Sequence, residues 1–228
     1  VGDPTIYPLS NISLSVNAPG GITVASGGLE GISGDTWRFR VKAARGIALL
    51  ASHRYQVAQK SLGTIGLRSY YLPEHAQAGR DALDVADRSI RLFSRLYGPY
   101  PYLSMTLAEN GFSGGMEYSA LASITDWAYS HYAENGDSVL HVLIAHEIAH
   151  QWWYGAVGND QTTEPWLDEA LAFYSELLYI EAYYPESVSW WWKNRVDIYQ
   201  PYGPVDATIY SYERSEHFNP SMYGQAAR

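Results

Sequence analysis

Between Ile12 and about Tyr71, hydrophobic and polar positions alternate, as in Ile12-Ser13-Leu14-Ser15-Val16 and Trp37-Arg38-Phe39-Arg40-Val41. A period of two places successive side chains on opposite faces of a strand. Pro19-Gly20-Gly21, Gly27-Gly28 and Gly34-Asp35 interrupt the alternation with turn chemistry, so this third of the chain is expected to be β-rich. After Pro73 the period becomes helical. Leu83, Ala86, Ile90, Phe93 and Tyr97 form one stripe, and Gly98-Pro99 ends it. A boundary is expected near residues 72–80, separating a β-rich segment, 1–72, from a second unit, 73–228.

Residues 99–125 return to short strands around Gly111-Phe112-Ser113-Gly114-Gly115. Two helices should follow. One covers 138–154, with Asp137 or Ser138 as N-cap; the other covers 164–184, with Thr163 as N-cap and Pro165 in its first turn. A further helix is expected near 188–198. The pattern predicts an α+β fold.

Composition narrows what such a fold can do. Of 228 residues, 46% are hydrophobic and 17% charged, a balance that supports a buried core and excludes disorder. Lys and Arg number 15 against 24 Asp and Glu, a net charge of −9, which leaves no basic field to collect nucleic acid or anionic lipid. The chain has no cysteine, so any metal must be held by His and carboxylates, and the compartment stays undetermined. The longest apolar run, around residues 139–144, is interrupted by His141 and is far shorter than the ~18 residues of a membrane span. The chain starts at Val1 and stops at Arg228, inside what reads as a starting helix, and is expected to be a fragment. Nothing in the composition fixes an oligomeric state.

The sharpest feature is His146-Glu147-Ile148-Ala149-His150. On a helix, residues four apart share a face, so both imidazoles can reach one ion. Glu147 lies roughly 100° further round and points beside that ion. The alternative is one histidine hydrogen-bonded in the core and the other solvated, and a third ligand decides between them. Asp168 and Glu169 lie within the otherwise apolar run Trp166-Leu167-Asp168-Glu169-Ala170-Leu171-Ala172-Phe173-Tyr174. A charge in such surroundings is costly to bury unless it is paired or coordinates a metal. Glu169, Phe173 and Glu176 share a face from which Asp168 is turned away, which selects Glu169.

Two His and one Glu around a single Zn²⁺ leave the fourth position open, as in catalytic sites. Zn²⁺ lowers the pKa of its water toward ~7, and Glu147 is placed to accept the proton and pass it to a leaving amine. The expected chemistry is metal-assisted amide hydrolysis. Glu176 is either a partner to a ligating histidine or a surface glutamate.

The stretch from His146 to Trp152, with eighteen residues between His150 and Glu169, resembles the gluzincin zinc aminopeptidases, which include aminopeptidase N and leukotriene-A hydrolase. The resemblance implies that residues 1–72 end an N-terminal β domain. It implies that 73–228 begin a thermolysin-like zinc peptidase domain with two active-site helices, truncated at its C-terminus. The implied activity is removal of N-terminal residues from peptides, with one Zn²⁺ on His146, His150 and Glu169. Gly114-Gly115-Met116-Glu117-Tyr118, with Glu117 thirty residues before Glu147, is similar to the family's Gly-x-Met-Glu-Asn exopeptidase motif, whose glutamate binds the substrate's free α-ammonium. A carboxylate about one residue's reach from the metal offers a charge-assisted bond that an internal peptide cannot satisfy. The implied substrate-binding residues are therefore Gly114, Gly115, Met116 and Glu117.

Tyr118 stands where the motif has Asn, and Asp168 where the second helix of the family usually has Asn. The family's oxyanion-stabilising tyrosine precedes a Gly-containing helix start, which points to Tyr223 in Met222-Tyr223-Gly224, with Tyr210, Tyr212 and His217 as alternatives. Trp190-Trp191-Trp192 either lines a substrate pocket or packs. Trp153 and Ala156 occupy the places of a metzincin's glycine and third histidine, which excludes that class. Two alternatives stay open. One is a thermolysin-type endopeptidase with the same zinc chemistry. The other is a non-catalytic module that captures an extended peptide by strand addition along 114–125 around a structural metal. Glu147 argues against the second, because a structural zinc needs no general base.

Overall fold

Ile12, Leu14 and Val16 lie opposite Val41, Phe39 and Trp37 in an antiparallel ladder, so the alternation along both segments is that of the ladder's two faces. The computed structural model describes residues 7–199, 205–206 and 208–211. Strands β1 (Ser10–Asn17), β3 (Leu29–Ser33) and β4 (Thr36–Ala44) form one sheet in the order β1-β4-β3, and β2 (Thr23–Ala25) pairs with β5 (Leu50–Ser52). Ala18, Val24 and Phe39 form their buried centre, with Leu14, Val16 and Trp37 packed on it.

The second sheet has five strands in the order β6 (Gln56–Leu62), β7 (Ile65–Tyr71), β8 (Ser104–Asn110), β10 (Leu121–Thr125) and β9 (Gly115–Tyr118). β7, β8 and β10 run parallel, whereas β6 and β9 pair antiparallel at the two edges. Parallel neighbours require a crossover, and α1 (Ala76–Tyr97) supplies it between β7 and β8. Every residue of β8 is buried, as a strand covered on both faces must be. Two strands of this sheet precede residue 72 and three follow it, so its hydrogen bonding is continuous across the boundary expected from the change of period. The fold is the mixed α+β class that the pattern predicts.

Leu83, Ala86, Ile90 and Phe93 are buried on α1, and Tyr97 packs against the same core. The short α2 (Asp126–Ser130) follows β10, and α3 (Val139–Ala149) packs against α1, β10 and α4 (Trp166–Tyr183). Phe93, Tyr97 and Tyr100 meet the Trp152 ring edge-on. Trp152 Nε1 donates to the Gly98 carbonyl at 2.9 Å, which ties the end of α1 to the turn after α3.

The helix ends differ in detail from the sequence expectation. Ser138 occupies the N-cap position of α3 but makes no side-chain cap bond. α4 starts at Trp166 behind Pro165 rather than after Thr163. Asp160 Oδ1 accepts the Thr162 and Thr163 N–H groups at 2.9 and 3.2 Å, so those donors are satisfied in a turn ahead of the helix. α5 (Val188–Trp191) runs into a π-type turn at Trp192–Val196. Among the described residues no helix is long and apolar enough to cross a membrane.

Candidate active site

α3 presents His146 and Glu147, and His150 caps its C-terminal end. His146 Nδ1 faces Glu176 Oε1 at 2.9 Å, and His150 Nδ1 faces the Trp153 carbonyl at 3.1 Å. A carboxylate and a carbonyl only accept, so each Nδ1 carries the proton and each Nε2 presents a lone pair. The two Nε2 atoms stand 3.1 Å apart, and Glu169 Oε2 lies 3.3 Å from that of His146 and 3.7 Å from that of His150. Three buried electron-rich atoms at such separations repel one another unless a proton or a metal ion joins them.

Donors 2.0–2.1 Å from a tetrahedral Zn²⁺ stand about 3.3 Å apart, so this triangle fits the ion in size as well as in chemistry. The surrounding charge fits too. Glu117, Glu147, Glu169 and Asp168 are gathered in one largely buried region, and uncompensated buried carboxylates are costly. Burial pulls the His146 imidazole down, but Glu169 and Glu176 outweigh it and push His146 up to about 9. Burial likewise opposes ionisation of Glu169, yet His146 and His150 hold its carboxyl well below the usual range.

Glu147 flanks the triangle. Its Oε1 lies so close to the backbone of Gly115 that a Cβ there would come within 2.1 Å. Its Oε2 is buried without a hydrogen-bond partner among the described residues. Burial pushes the Glu147 carboxyl up to about 8 while His146 and His150 pull the other way. A buried acceptor oxygen with an elevated proton affinity, beside a cation site, has the attributes of a general base.

Gly114 precedes the edge strand β9, and Gly115, Met116 and Glu117 lie within it. Ligand atoms of Glu117, Glu147 and His150 lie within 4.8 Å of one another, as do those of His146, His150 and Glu169. Gln151 locks the two halves. Its Oε1 accepts the Ala120 N–H at 2.9 Å and its Nε2 donates to the Tyr118 carbonyl at 3.2 Å, fixing the β9–β10 turn to the end of α3. A cavity of about 640 Å³ opens beside this edge, lined in part by Met116, Glu117, Tyr118, Arg45, Ile47 and Tyr154.

Several neighbours of these residues lie outside the motifs. Glu176, left open as partner or surface residue, is fully buried; besides facing His146 it accepts from Arg195 Nη2 and Nε at 2.7 and 2.8 Å and from Trp191 Nε1 at 3.0 Å. Arg195 lies in the π-type turn, a local irregularity that often accompanies function. Trp191 packs on Phe173 with ring centroids 5.3 Å apart, so of the two roles left open for the tryptophan triplet, this residue takes packing. Asp168 bonds Asn159 and Gln161. Tyr223, Tyr212 and His217 lie outside the described residues, and Tyr210 is 78% exposed.

The profile of the Peptidase family M1 domain matches residues 81–221, which include every one of these carboxylates and both histidines. The chain belongs to peptidase family M1. Among M1 relatives, rice Aminopeptidase M1-B is 32% identical over 132 residues, covering 54% of this chain and 15% of that protein. Human Endoplasmic reticulum aminopeptidase 1 is 26% identical over 192 residues, covering 81% of this chain and 20% of that protein. The chain thus spans a fifth or less of these relatives' length. An M1 zinc metallopeptidase from Deinococcus radiodurans shares the fold with a TM-score of 0.62 at 20% identity, over 95% of this chain and 50% of that one. The M1 assignment implies zinc as the metal.

Proposed function

We propose that this chain is the catalytic part of a zinc aminopeptidase, with one Zn²⁺ on His146, His150 and Glu169, Glu147 as general base and Glu117 as partner of the substrate's α-ammonium. The observation that carries this reading is the position of His150, which shares one cluster with His146 and Glu169 and another with Glu117 and Glu147, each within 4.8 Å. One peptide residue spans about 3.3–3.6 Å, so an ammonium held by Glu117 brings the first peptide bond, and no later one, to the metal site.

Zn²⁺ bound there supplies Lewis-acid polarisation of a carbonyl and acidifies water. Glu147 Oε2 takes the proton from the attacking water and returns it to the leaving amine. The free edge of β9 offers backbone groups to an extended substrate, and the adjoining cavity receives its side chain. Glu117 rejects internal peptides, because a buried carboxylate left without its ammonium costs free energy. Tyr223 is the proposed oxyanion partner.

The test measures zinc content and hydrolysis of matched free-amine and N-acetylated substrates by the full-length protein. About one zinc per chain, preference for the free amine, and loss of that preference in Glu117→Ala with zinc retained are expected. Equal hydrolysis of both substrates would replace this reading by the endopeptidase. Zinc without turnover would replace it by the peptide-binding module.

A further inference from the structure

One buried side chain beside Glu117 has no role in the chemistry described so far. Gln161 is 2% exposed, and its Nε2 donates to Glu117 Oε1 at 3.1 Å and to Asp168 Oδ2 at 2.5 Å. Both neighbours are carboxyl oxygens, which accept, and the amide presents its nitrogen to them. That nitrogen has two hydrogens, and each has one taker. Asp168 is fully buried and is itself fixed by Asn159 Nδ2, which donates to Oδ1 at 3.0 Å. Glu117 is therefore held through Gln161 by a carboxylate in the first turn of α4, the helix that also carries Glu169.

We propose that Gln161, clamped by Asp168, is the positioning residue of the amine site. It fixes Glu117 Oε1 so that Oε2 is left to meet a substrate's α-ammonium, and it sets the distance between that ammonium and the metal pocket. A glutamate has several rotatable torsions, and an unanchored Glu117 would spend rotamer freedom each time it bound a substrate. Asp168, which replaces the family's usual Asn, has an acceptor for each of two donor amides. The inference rests on the aminopeptidase reading and deepens it.

The test uses full-length enzyme with its zinc, assayed on a free-amine substrate and its N-acetylated counterpart. Gln161→Met keeps the length and apolar bulk but removes both donors. It should raise KM for the free-amine substrate about tenfold, as for a lost hydrogen bond to a charged group, with zinc content, kcat and hydrolysis of the N-acetylated substrate little changed. Asp168→Ala should reproduce that KM effect. Asp168→Asn keeps an acceptor for Gln161 and should restore most of the selectivity. In the Glu117→Ala background Gln161→Met should add nothing, because it acts through Glu117.

A Gln161→Met enzyme that keeps full selectivity while Glu117→Ala loses it would overturn this inference and leave the amine site standing. Unchanged selectivity in Glu117→Ala itself would remove the amine site and this inference with it. Zinc loss in both Gln161→Met and Asp168→Ala would assign the pair to the fold and overturn the positioning role.

Discussion

Glu176 Oε1 stands 2.9 Å from His146 Nδ1, two turns along α4 from Glu169. One helix face thus supplies both a candidate metal ligand and the acceptor that fixes the tautomer of another. Arg195 grips the same carboxylate with two nitrogens and, despite the opposing effect of burial, helps hold its pKa low. An ionised acceptor on Nδ1 makes Nε2 a better donor to a cation.

Glu176→Gln should therefore weaken zinc binding about 10–100-fold, the usual effect of losing such a partner. Competition against a chelator of known affinity measures it. Unchanged affinity would reduce Glu176 to an anchor for Arg195 and Trp191.

Glu147→Gln should keep the metal and lose about 10²–10⁴-fold in turnover, because the amide preserves shape and takes no proton. Zinc analysis alongside kcat separates the two. More than roughly a tenth of parental turnover would remove Glu147 from the role of base.

Gly114 and Gly115 give a paired prediction. A Cβ at Gly115 would come within 2.1 Å of Glu147 Oε1, so Gly115→Ala should displace that carboxylate and cost about 10²-fold in kcat with zinc retained. Gly114 has φ +85° and open space around its Cβ position. Gly114→Ala should instead cost about 1–2 kcal/mol of stability through backbone strain, read by urea unfolding, with kcat nearly unchanged.

The parts of the fold legible in the sequence are those set by local repetition. The ladder between β1 and β4 and the stripe from Leu83 to Phe93 follow from periods of two and 3.6 that burial enforces residue by residue. The histidine pair is legible for the same reason, since four residues of one helix fix its geometry. Gln161 and Arg195 carry no such signal, because their partners are 44 and 19 residues away and meet only when loop, helix and sheet dock. The one available hint is Asp168, a second carboxylate in an apolar run beyond the proposed metal ligand Glu169. Tertiary context also overrode local caps. The regular part of α3 ends at Ala149 rather than near 154; the chain continues in turns, with Tyr154 at φ 97° and the Gly155 N–H closing onto the His150 carbonyl at 2.9 Å.

The last prediction concerns His141, on the same helix as His146 but packed away from the candidate metal site. Its ring stacks on Tyr184 and meets Tyr132 edge-on, and Arg88 and Asp81 of α1 face the same small cavity together with Asp84 and Glu134. Burial, then the Arg88 charge, lowers its pKa from 6.5 to about 4, with Asp81 opposing. The unfolded chain therefore binds a proton on this residue between pH 6.5 and 4 that the folded chain refuses. More protons on the unfolded state means stability that rises with pH, so this contribution is fully present above 6.5 and is lost as the pH falls toward 4. A shift from 6.5 to about 4 is worth at most roughly 3 kcal/mol, of which roughly 2 kcal/mol should be lost between pH 7.5 and 5. Phenylalanine keeps the ring contacts and cannot titrate. Urea unfolding followed by tryptophan fluorescence at both pH values should show a smaller acid loss in His141→Phe than in the parent, and equal losses would place the acid sensitivity on other groups.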